Sequence, residues 1–475
     1  MAIPPCRNQR VPTMTARTLS LSAGLLLLVI PVLLPAPEAI PEAGWRASGL
    51  ALAMVLWWLT EPVPLAATAL LPLAVAPLAG IAPLETVARP FSEPIVFLFL
   101  GGFLLAKAIE KSGLHERLAY SLLGIAGQNP ARVLAAIMGT TAFLSLWISN
   151  TASAMVVAPV AAAIAGAQSG TRAFSTALML GVAYGATIGG MGSLIGTPPN
   201  AIFASFVGQT YGIEIGFARW AAIGVPVALV LLVVTWGSLV VFSPGLRGAE
   251  IKAGSDRARP PMSTAEKRVA LVAGLTAGAW LTRPLIELVF PGLALSDAGI
   301  AIAAALVLFM LPSGDGGRLL DWPTAATLRW DVLILFGGGL ALATILETSG
   351  LAAWLAGTVD AFSALPILLL LGLIAAMIVY VGELASNTAM AAIFLPIAGA
   401  IAMSLGAEPV QFMLPLAFAA SVGFMLPVAT PPNAIVFSHE TVTRGNMLRA
   451  GAPLDVIGIV VAVGLGYLMA PIVFG

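Results

Sequence analysis

Four short blocks of small polar residues stand out in a chain that is otherwise mostly apolar. Ser149-Asn150-Thr151-Ala152 recurs as Ser386-Asn387-Thr388-Ala389, 237 residues later, and Pro159 recurs at the same interval as Pro396. Thr197-Pro198-Pro199-Asn200-Ala201-Ile202 recurs as Thr430-Pro431-Pro432-Asn433-Ala434-Ile435, 233 residues later. Ser, Thr and Asn offer neutral oxygens, and Asn also amide N–H donors, without carrying charge. Carbonyls freed where a helix stops are hard oxygen ligands for a small cation, while free N–H groups where a helix starts attract a carboxylate. One interruption of this kind can hold a cation and an anion together. No Arg or Lys lies within any of the four blocks, so a dianion bound there has to be neutralised by cations that bind with it.

A single Ser-Asn-Thr-Ala could be an ordinary small-residue contact between helices, and a single Pro-Pro a kink. Two distinct blocks repeated in the same order argue otherwise. The register also extends upstream: Glu110, Ser112, Gly113 and Leu114 face Glu347, Ser349, Gly350 and Leu351 at the 237-residue interval. Each Ser-Asn-Thr lies where one apolar run stops and another begins. Each Thr-Pro-Pro-Asn must interrupt a helix, because Pro lacks the N–H and pushes the preceding residue to extended geometry. Unwound chain survives at membrane depth only inside protein or beside a water-filled cavity, and paired breaks in a duplicated unit point to a carrier with its site between the repeats.

The elements that must position these blocks are membrane helices. Of 475 residues, 59% are hydrophobic and 9% charged, against about 25% charged in a soluble domain, and the mean hydropathy is +1.00. These values exclude a water-soluble protein. Lys+Arg 22 balance Asp+Glu 22, so no global field recruits nucleic acid, and any anion selectivity is local. Cys6 is the single cysteine and His115 and His439 the only histidines, which removes disulfide frameworks and zinc-type clusters.

With about 20 apolar residues per crossing, spans are predicted at 18–35, 46–60, 62–82, 94–112, 131–149, 172–190 and 217–242, then at 266–288, 297–312, 330–348, 365–384, 409–427 and 452–474. Stretches 151–168 and 388–405 are short and flanked by polar tips, as returning arms or half-helices would be. Arg7, Arg10 and Arg17 before Leu19–Leu34 resemble a secretory leader, and the run is read as a retained first helix. The resulting divisions are 1–44, an N-terminal segment with the first transmembrane helix; 45–242, a first repeat; 243–265, a polar linker; and 266–475, a second repeat. Arg247, Lys252, Arg257 and Arg259 place the linker and the N-terminus on the cytoplasmic side.

Other polar residues carry less. Glu383 sits beside the second tip, where the first has Leu146, and could be a satisfied polar residue or a proton-sensitive one. Glu110 and Glu347 read as helix ends at an interface, and His115 and His439 as solvated. Ser313-Gly314-Asp315-Gly316 reads as a polar connection. A hydrolase using Ser149 or Ser386 would need a base within reach, and neither segment carries His or Lys. A channel is the remaining rival; converging breaks suit alternating access better than a continuous pore.

The doubled Ser-Asn-Thr and Thr-Pro-Pro-Asn blocks, with Thr60-Glu61-Pro62-Val63-Pro64-Leu65-Ala66-Ala67-Thr68, resemble the divalent anion:sodium symporter family from about residue 45 to the C-terminus. The resemblance implies an all-α polytopic protein of the cytoplasmic membrane with two inverted repeats, roughly eleven spanning helices and two re-entrant helical hairpins. It further implies a homodimer working as an elevator-type transporter, with sodium ions as coupling ions and no other cofactor. The implied activity is sodium-coupled symport of C4-dicarboxylates of the succinate, malate and fumarate class. An exchanger, or a sulfate or tricarboxylate carrier, is the alternative on the same scaffold. The implied substrate contacts are Ser149, Asn150, Thr151, Ser386, Asn387 and Thr388, with Thr197, Pro198, Thr430 and Pro431 adjoining. One sodium would sit around Ser145, Ser149, Asn150 and Gly196, and a second around Gly382, Ala385, Asn387 and Ala429. Gly382 departs from the Thr frequent there in relatives; its carbonyl could still serve, on a freer backbone.

Overall fold

The computed structural model describes residues 14–123, 129–166, 172–242, 261–352 and 365–474, apart from 291 and 294, together with residue 354. Residues 1–13 and 243–260, which carry most of the basic residues expected on the cytoplasmic side, lie outside the described residues, as do 167 and 168 at the end of the first short stretch. Among the described residues the regular structure is helical, with one isolated bridge between Pro312 and Arg318. Eight of these helices are long and apolar enough to cross a membrane, and six shorter apolar helices accompany them.

The apolar run near the N-terminus is α1 (Met14–Leu33), which lies along α2 (Glu42–Thr60). The Trp57 indole N–H donates to the Ser20 carbonyl at 3.0 Å, and Arg17 Nε donates to the Pro62 carbonyl at 2.9 Å. The single span predicted at 62–82 is instead two short helices, α3 (Leu65–Ala69) and α4 (Leu71–Leu78), meeting at Leu70. Pro72 is the cause: it cannot donate to the carbonyl four residues back, so one helix ends and another starts with Pro in its first turn.

After α5 (Leu84–Ala88) and a 3-10 turn at Arg89–Ser92, α6 (Pro94–Ser112) leads to α7 (Leu114–Leu123). The first repeat continues with α8 (Pro130–Ser145), α9 (Asn150–Gly166), α10 (Arg172–Met191), α11 (Pro198–Tyr211) and α12 (Phe217–Phe242). Next come α13 (Thr264–Val289), α14 (Asp297–Met310), α15 (Trp322–Ala325) and α16 (Trp330–Thr348). The last are α17 (Ile367–Gly382), α18 (Asn387–Ser404), α19 (Pro409–Ala419), α20 (Pro431–Phe437) and α21 (Arg444–Phe474). The repeat is visible in the backbone itself. Gly113 and Gly350 both adopt φ 76°, and their N–H groups bond Glu110 and Glu347 carbonyls at 3.1 Å, closing α6 and α16 alike.

The spans predicted at 131–149, 365–384 and 409–427 end early, at Ser145, Gly382 and Ala419. α8 and α9, and likewise α17 and α18, are arms of 16–18 residues joined by four-residue tips. At 1.5 Å per residue α8, α9 and α17 reach about 24–26 Å, short of the ~30 Å of a bilayer core, while α18, at 18 residues, is one of the eight helices long enough to cross. The repeats exchange these arms: α9 packs on α20 of the second repeat, and α18 packs on α11 of the first. Tyr211 and Phe206 of α11 close over Gly399 of α18, where a Cβ would fall 2.5 Å from the Tyr211 hydroxyl.

A second layer braces the first tip. α6 packs on α13 and α14. Phe217, opening α12, stacks between Trp280 of α13, at 4.7 Å between ring centroids, and Trp147 of the tip, at 6.3 Å. Its N–H donates to Asp297 Oδ2 at 2.6 Å. Arg283 meets Glu214 at 2.7 Å, Glu287 at 2.8 Å and Asp297 at 3.2 Å, joining the α11–α12 connection to α13 and α14.

Candidate functional site

Helix starts are built into both kinds of block. Thr197 (φ −143°, ψ 142°) and Thr430 (φ −139°, ψ 150°) are near-identical N-caps, each followed by two prolines at the first helical positions. This is where a residue without an N–H fits and presets helical φ. Thr430 Oγ1 accepts from the Asn433 N–H at 3.3 Å. The Ser-Asn-Thr blocks start α9 and α18, with Ser149 Oγ accepting from the Ala152 N–H at 3.2 Å.

Around the first tip, Ser145 Oγ donates to Asn150 Oδ1 at 2.5 Å. A Cβ on Gly190 would fall 2.4 Å from Asn150 Oδ1. One on Gly196 would fall 2.5 Å from the Gly190 carbonyl and 2.9 Å from the Ser145 carbonyl. The end of α8, the start of α9 and the break after α10 are therefore in mutual contact, at a separation that only glycine allows. Ser145, Asn150 and Gly196, expected to share one cation, are brought together, with oxygens of Ser145, Gly190 and Asn150 converging between them.

Around the second tip, Asn387 Oδ1 is buried with no hydrogen-bond partner among the described residues. A Cβ on Gly382 would lie 3.7 Å from that oxygen, and the Gly382 carbonyl accepts from the Ala385 N–H at 3.2 Å. A buried amide oxygen left unmatched costs about 1–3 kcal/mol, and a small cation is a ligand that would satisfy it. Ala429 approaches through Gly423, whose added Cβ would stand 3.4 Å from Ala429 Cβ and 3.8 Å from Glu383 Oε1.

The two breaks are held open by twin asparagines. Asn200, fully buried, donates Nδ2 to the Gly190 and Ser193 carbonyls at 3.1 and 2.8 Å. Asn433, equally buried, donates to Gly423 and Leu426 at 3.1 and 2.9 Å. The carbonyls that lose their helical partners are thus satisfied by a side chain. Tip and break are tied differently in the two halves. In the first, Ser193 Oγ donates to the Leu146 carbonyl at 2.6 Å. In the second, Glu383, at the register of Leu146, accepts from the Met425 and Leu426 N–H groups at 2.9 and 2.7 Å. Asp455 of α21 accepts from the adjoining Phe424 N–H at 3.0 Å, and Tyr184 donates to the Phe424 carbonyl at 3.0 Å.

Exposure separates two kinds of position. Ser145, Gly196, Gly382, Ala429, Thr197 and Thr430 are buried, whereas Asn150, Thr151, Ala385, Ser386, Asn387, Thr388 and Pro198 are half-buried and Ser149 and Pro431 exposed. Backbone oxygens suited to cations lie deep, under a more open rim of hydroxyl and amide groups suited to a carboxylate.

Asp455 escaped the sequence reading, although it is the one acidic residue in the apolar run 452–474 and an acid in a span is a signal in itself. His115 is buried rather than solvated, its Nδ1 3.2 Å from the Ile109 carbonyl; the turn from α6 to α7 folds it back under the helix end.

Residues 15–475 match the family model described as the sodium:sulfate symporter transmembrane region. The sodium-dependent dicarboxylate transporter SdcS of Staphylococcus saprophyticus is 36% identical over 475 residues, covering 95% of this chain and 91% of the relative. Its counterpart in Staphylococcus aureus (strain MRSA252) is 36% identical over 489 residues, covering 98% and 94%. Among solved structures, the Alcanivorax borkumensis YdaH transporter superposes with a TM-score of 0.59 at 15% identity, over 96% of this chain and 98% of that one. Neisseria gonorrhoeae MtrF gives 0.56 at 15% identity, over 95% and 94%. At that identity the likeness is one of fold.

Proposed function

The chain belongs to the sodium:sulfate symporter transmembrane family, and from that premise we propose that it is a secondary active transporter coupling the entry of a C4-dicarboxylate to sodium. The relatives named as sodium-dependent dicarboxylate transporters support the substrate class. The observation that supports the reading is the pair of tips in which oxygens converge without a basic residue in the blocks: Ser145, Asn150 and Gly196 in one, and Asn387 Oδ1, without a hydrogen-bond partner among the described residues, beside Gly382 in the other.

One sodium is held around Ser145, Ser149, Asn150 and Gly196, a second around Gly382, Ala385, Asn387 and Ala429. The dianion lies above them against Ser149, Asn150, Thr151, Ser386, Asn387 and Thr388, with Thr197, Pro198, Thr430 and Pro431 adjoining. The cations supply the positive charge that the protein withholds, so anion and sodium bind each other's sites into shape, which is thermodynamic coupling. Repeats 45–242 and 266–475, inverted with respect to each other around the linker 243–265, each supply scaffold helices and a hairpin with its site motifs, and within a homodimer the loaded transport domain slides as a rigid body against the fixed scaffold. The solute passes unchanged, and no enzymatic step enters this reading.

The test is radiolabelled succinate uptake into proteoliposomes, with and without an inward sodium gradient. Accumulation driven by the gradient is expected. Uptake that ignores sodium and requires unlabelled succinate inside would replace symport by exchange.

A further inference from the structure

A groove on the exposed face of α8 belongs to neither tip. A cavity of about 430 Å³ lies between α7 and α8, lined by Leu122 of α7 and by Arg132, Ala135, Ala136, Gly139 and Phe143 of α8. Residues three and four apart share one helix face, so the α8 lining is a single stripe, hollowed by its small side chains and ended by Phe143, which is 41% exposed. A Cβ added at Gly139 would meet nothing within 4 Å, so the hollow is open there. From Arg132 to Phe143 the stripe runs about 16 Å at 1.5 Å per residue. That is close to half of the ~30 Å hydrocarbon core, the depth of one leaflet. Arg132, the single charged residue of α8, is exposed in its first turn, and among the described residues its guanidinium forms no ion pair. Trp236 of α12 donates its indole N–H to the neighbouring Ala131 carbonyl at 2.8 Å. Trp beside Arg marks the level at which a span meets the headgroups.

Volume decides what fits. A partner helix about 10 Å across would need on the order of 1,200 Å³ over that length, well beyond the cavity. A chain of methylenes, each close to a water in size at ~30 Å³, fills it with roughly fourteen. Left empty, the hollow would forfeit its dispersion contacts, and the guanidinium at its mouth matches a phosphate in charge and geometry. α12 runs on from Trp236 to Phe242, and the linker behind it carries Arg247, Lys252, Arg257 and Arg259. The positive-inside rule assigns this end to the cytoplasmic leaflet, whose surface is rich in anionic lipid. We propose that the groove is a binding site for one anionic phospholipid, its phosphate on Arg132 and one acyl chain laid along Ala135, Ala136 and Gly139 as far as Phe143. The bound lipid packs the arm that ends at Ser145, and the site requires nothing of the solute carried.

The experiment uses purified full-length protein in detergent as wild type, Arg132→Gln and Gly139→Leu. Each is titrated with dipalmitoyl phosphatidylglycerol, with the phosphatidylcholine of the same chains and with soluble glycerol phosphate, and read by native mass spectrometry and Tm. Wild type is expected to retain one phosphatidylglycerol in preference to phosphatidylcholine and to gain Tm with it. Arg132→Gln is expected to weaken phosphatidylglycerol binding about fivefold, the effect of one basic residue, and to leave phosphatidylcholine nearly unaffected. Gly139→Leu fills the hollow and is expected to bind neither lipid, with its Tm in lipid-free detergent held. If that variant loses stability by itself, Arg132→Gln and the headgroup comparison decide. Equal retention of phosphatidylglycerol by wild type and Arg132→Gln, or no preference between the headgroups, overturns the proposal. Glycerol phosphate raising Tm as much as the lipid would make this a site for soluble phosphate, and a changed oligomeric mass in Gly139→Leu would give the groove to a second copy; either result overturns it equally.

Discussion

Asn200 and Asn433 make the same two hydrogen bonds at the same register, each bridging the carbonyls on either side of a broken helix. Replacing either by Ala strips two buried carbonyls of their donor, at about 1–3 kcal/mol for each group left unpaired. Asn200→Ala and Asn433→Ala are each expected to lower Tm and to abolish succinate uptake, because the break each holds is part of the proposed site. Thermal unfolding of purified protein in parallel with uptake checks this; a variant with wild-type Tm and uptake would show the bridges to be dispensable.

Gly196 and Gly382 respond differently to a methyl group. At Gly196 the new Cβ would stand 2.5 Å from one backbone oxygen and 2.9 Å from another, neither free to move, whereas at Gly382 the nearest neighbours stand at 3.5 and 3.7 Å, ordinary contact. Gly196→Ala should eliminate sodium-dependent uptake and Gly382→Ala should retain it within a fewfold change, read as initial rates against sodium concentration.

Asn150→Ala and Asn387→Ala each remove the amide proposed to serve both ion types in its tip. Loss of uptake is expected from either, with expression and the size-exclusion elution of the purified protein unchanged. Full transport by either variant would remove both asparagines from the site.

Replacing sodium by potassium or choline takes away the counter-charges that the protein does not provide. Succinate should then fail to raise the Tm of purified carrier, and by reciprocity sodium should stabilise it more in the presence of succinate than alone. Equal stabilisation by succinate in either salt would break the coupling.

Arg283 joins α13 to Asp297 and to Glu214. Arg283→Ala leaves Asp297 buried without its cation, a defect of about 3–5 kcal/mol for a broken buried pair. The double variant with Asp297→Asn should regain part of the Tm lost by Arg283→Ala; strictly additive losses would show that the pair does not act as one.

The breaks were legible in the sequence because Pro and the Ser-Asn-Thr blocks announce them locally, and the duplication paired each break with its counterpart in the other half. The helical nature of every span followed from apolar run length. What holds the breaks was less legible, because it depends on distant partners. Asp455 meets Phe424 across 31 positions, Arg283 meets Glu214 across 69, and Trp147 finds Phe217 only once the tip is folded. Helix ends shifted for a related reason. Apolar composition continues past Ala419 and Ser145, but the chain there leaves the helix for contacts that hydropathy does not register.

The exchange of arms between the halves has a consequence for how the chain is made. α9 leaves the ribosome with its contact face uncovered, and the segment that covers it, Pro431–Phe437, is synthesised more than half a chain later. At about 5–20 residues per second that delay is on the order of tens of seconds. The nascent first half must be sheltered in the insertion machinery or by lipid during that time, and a gene split at the linker would produce two fragments that mature only after finding each other.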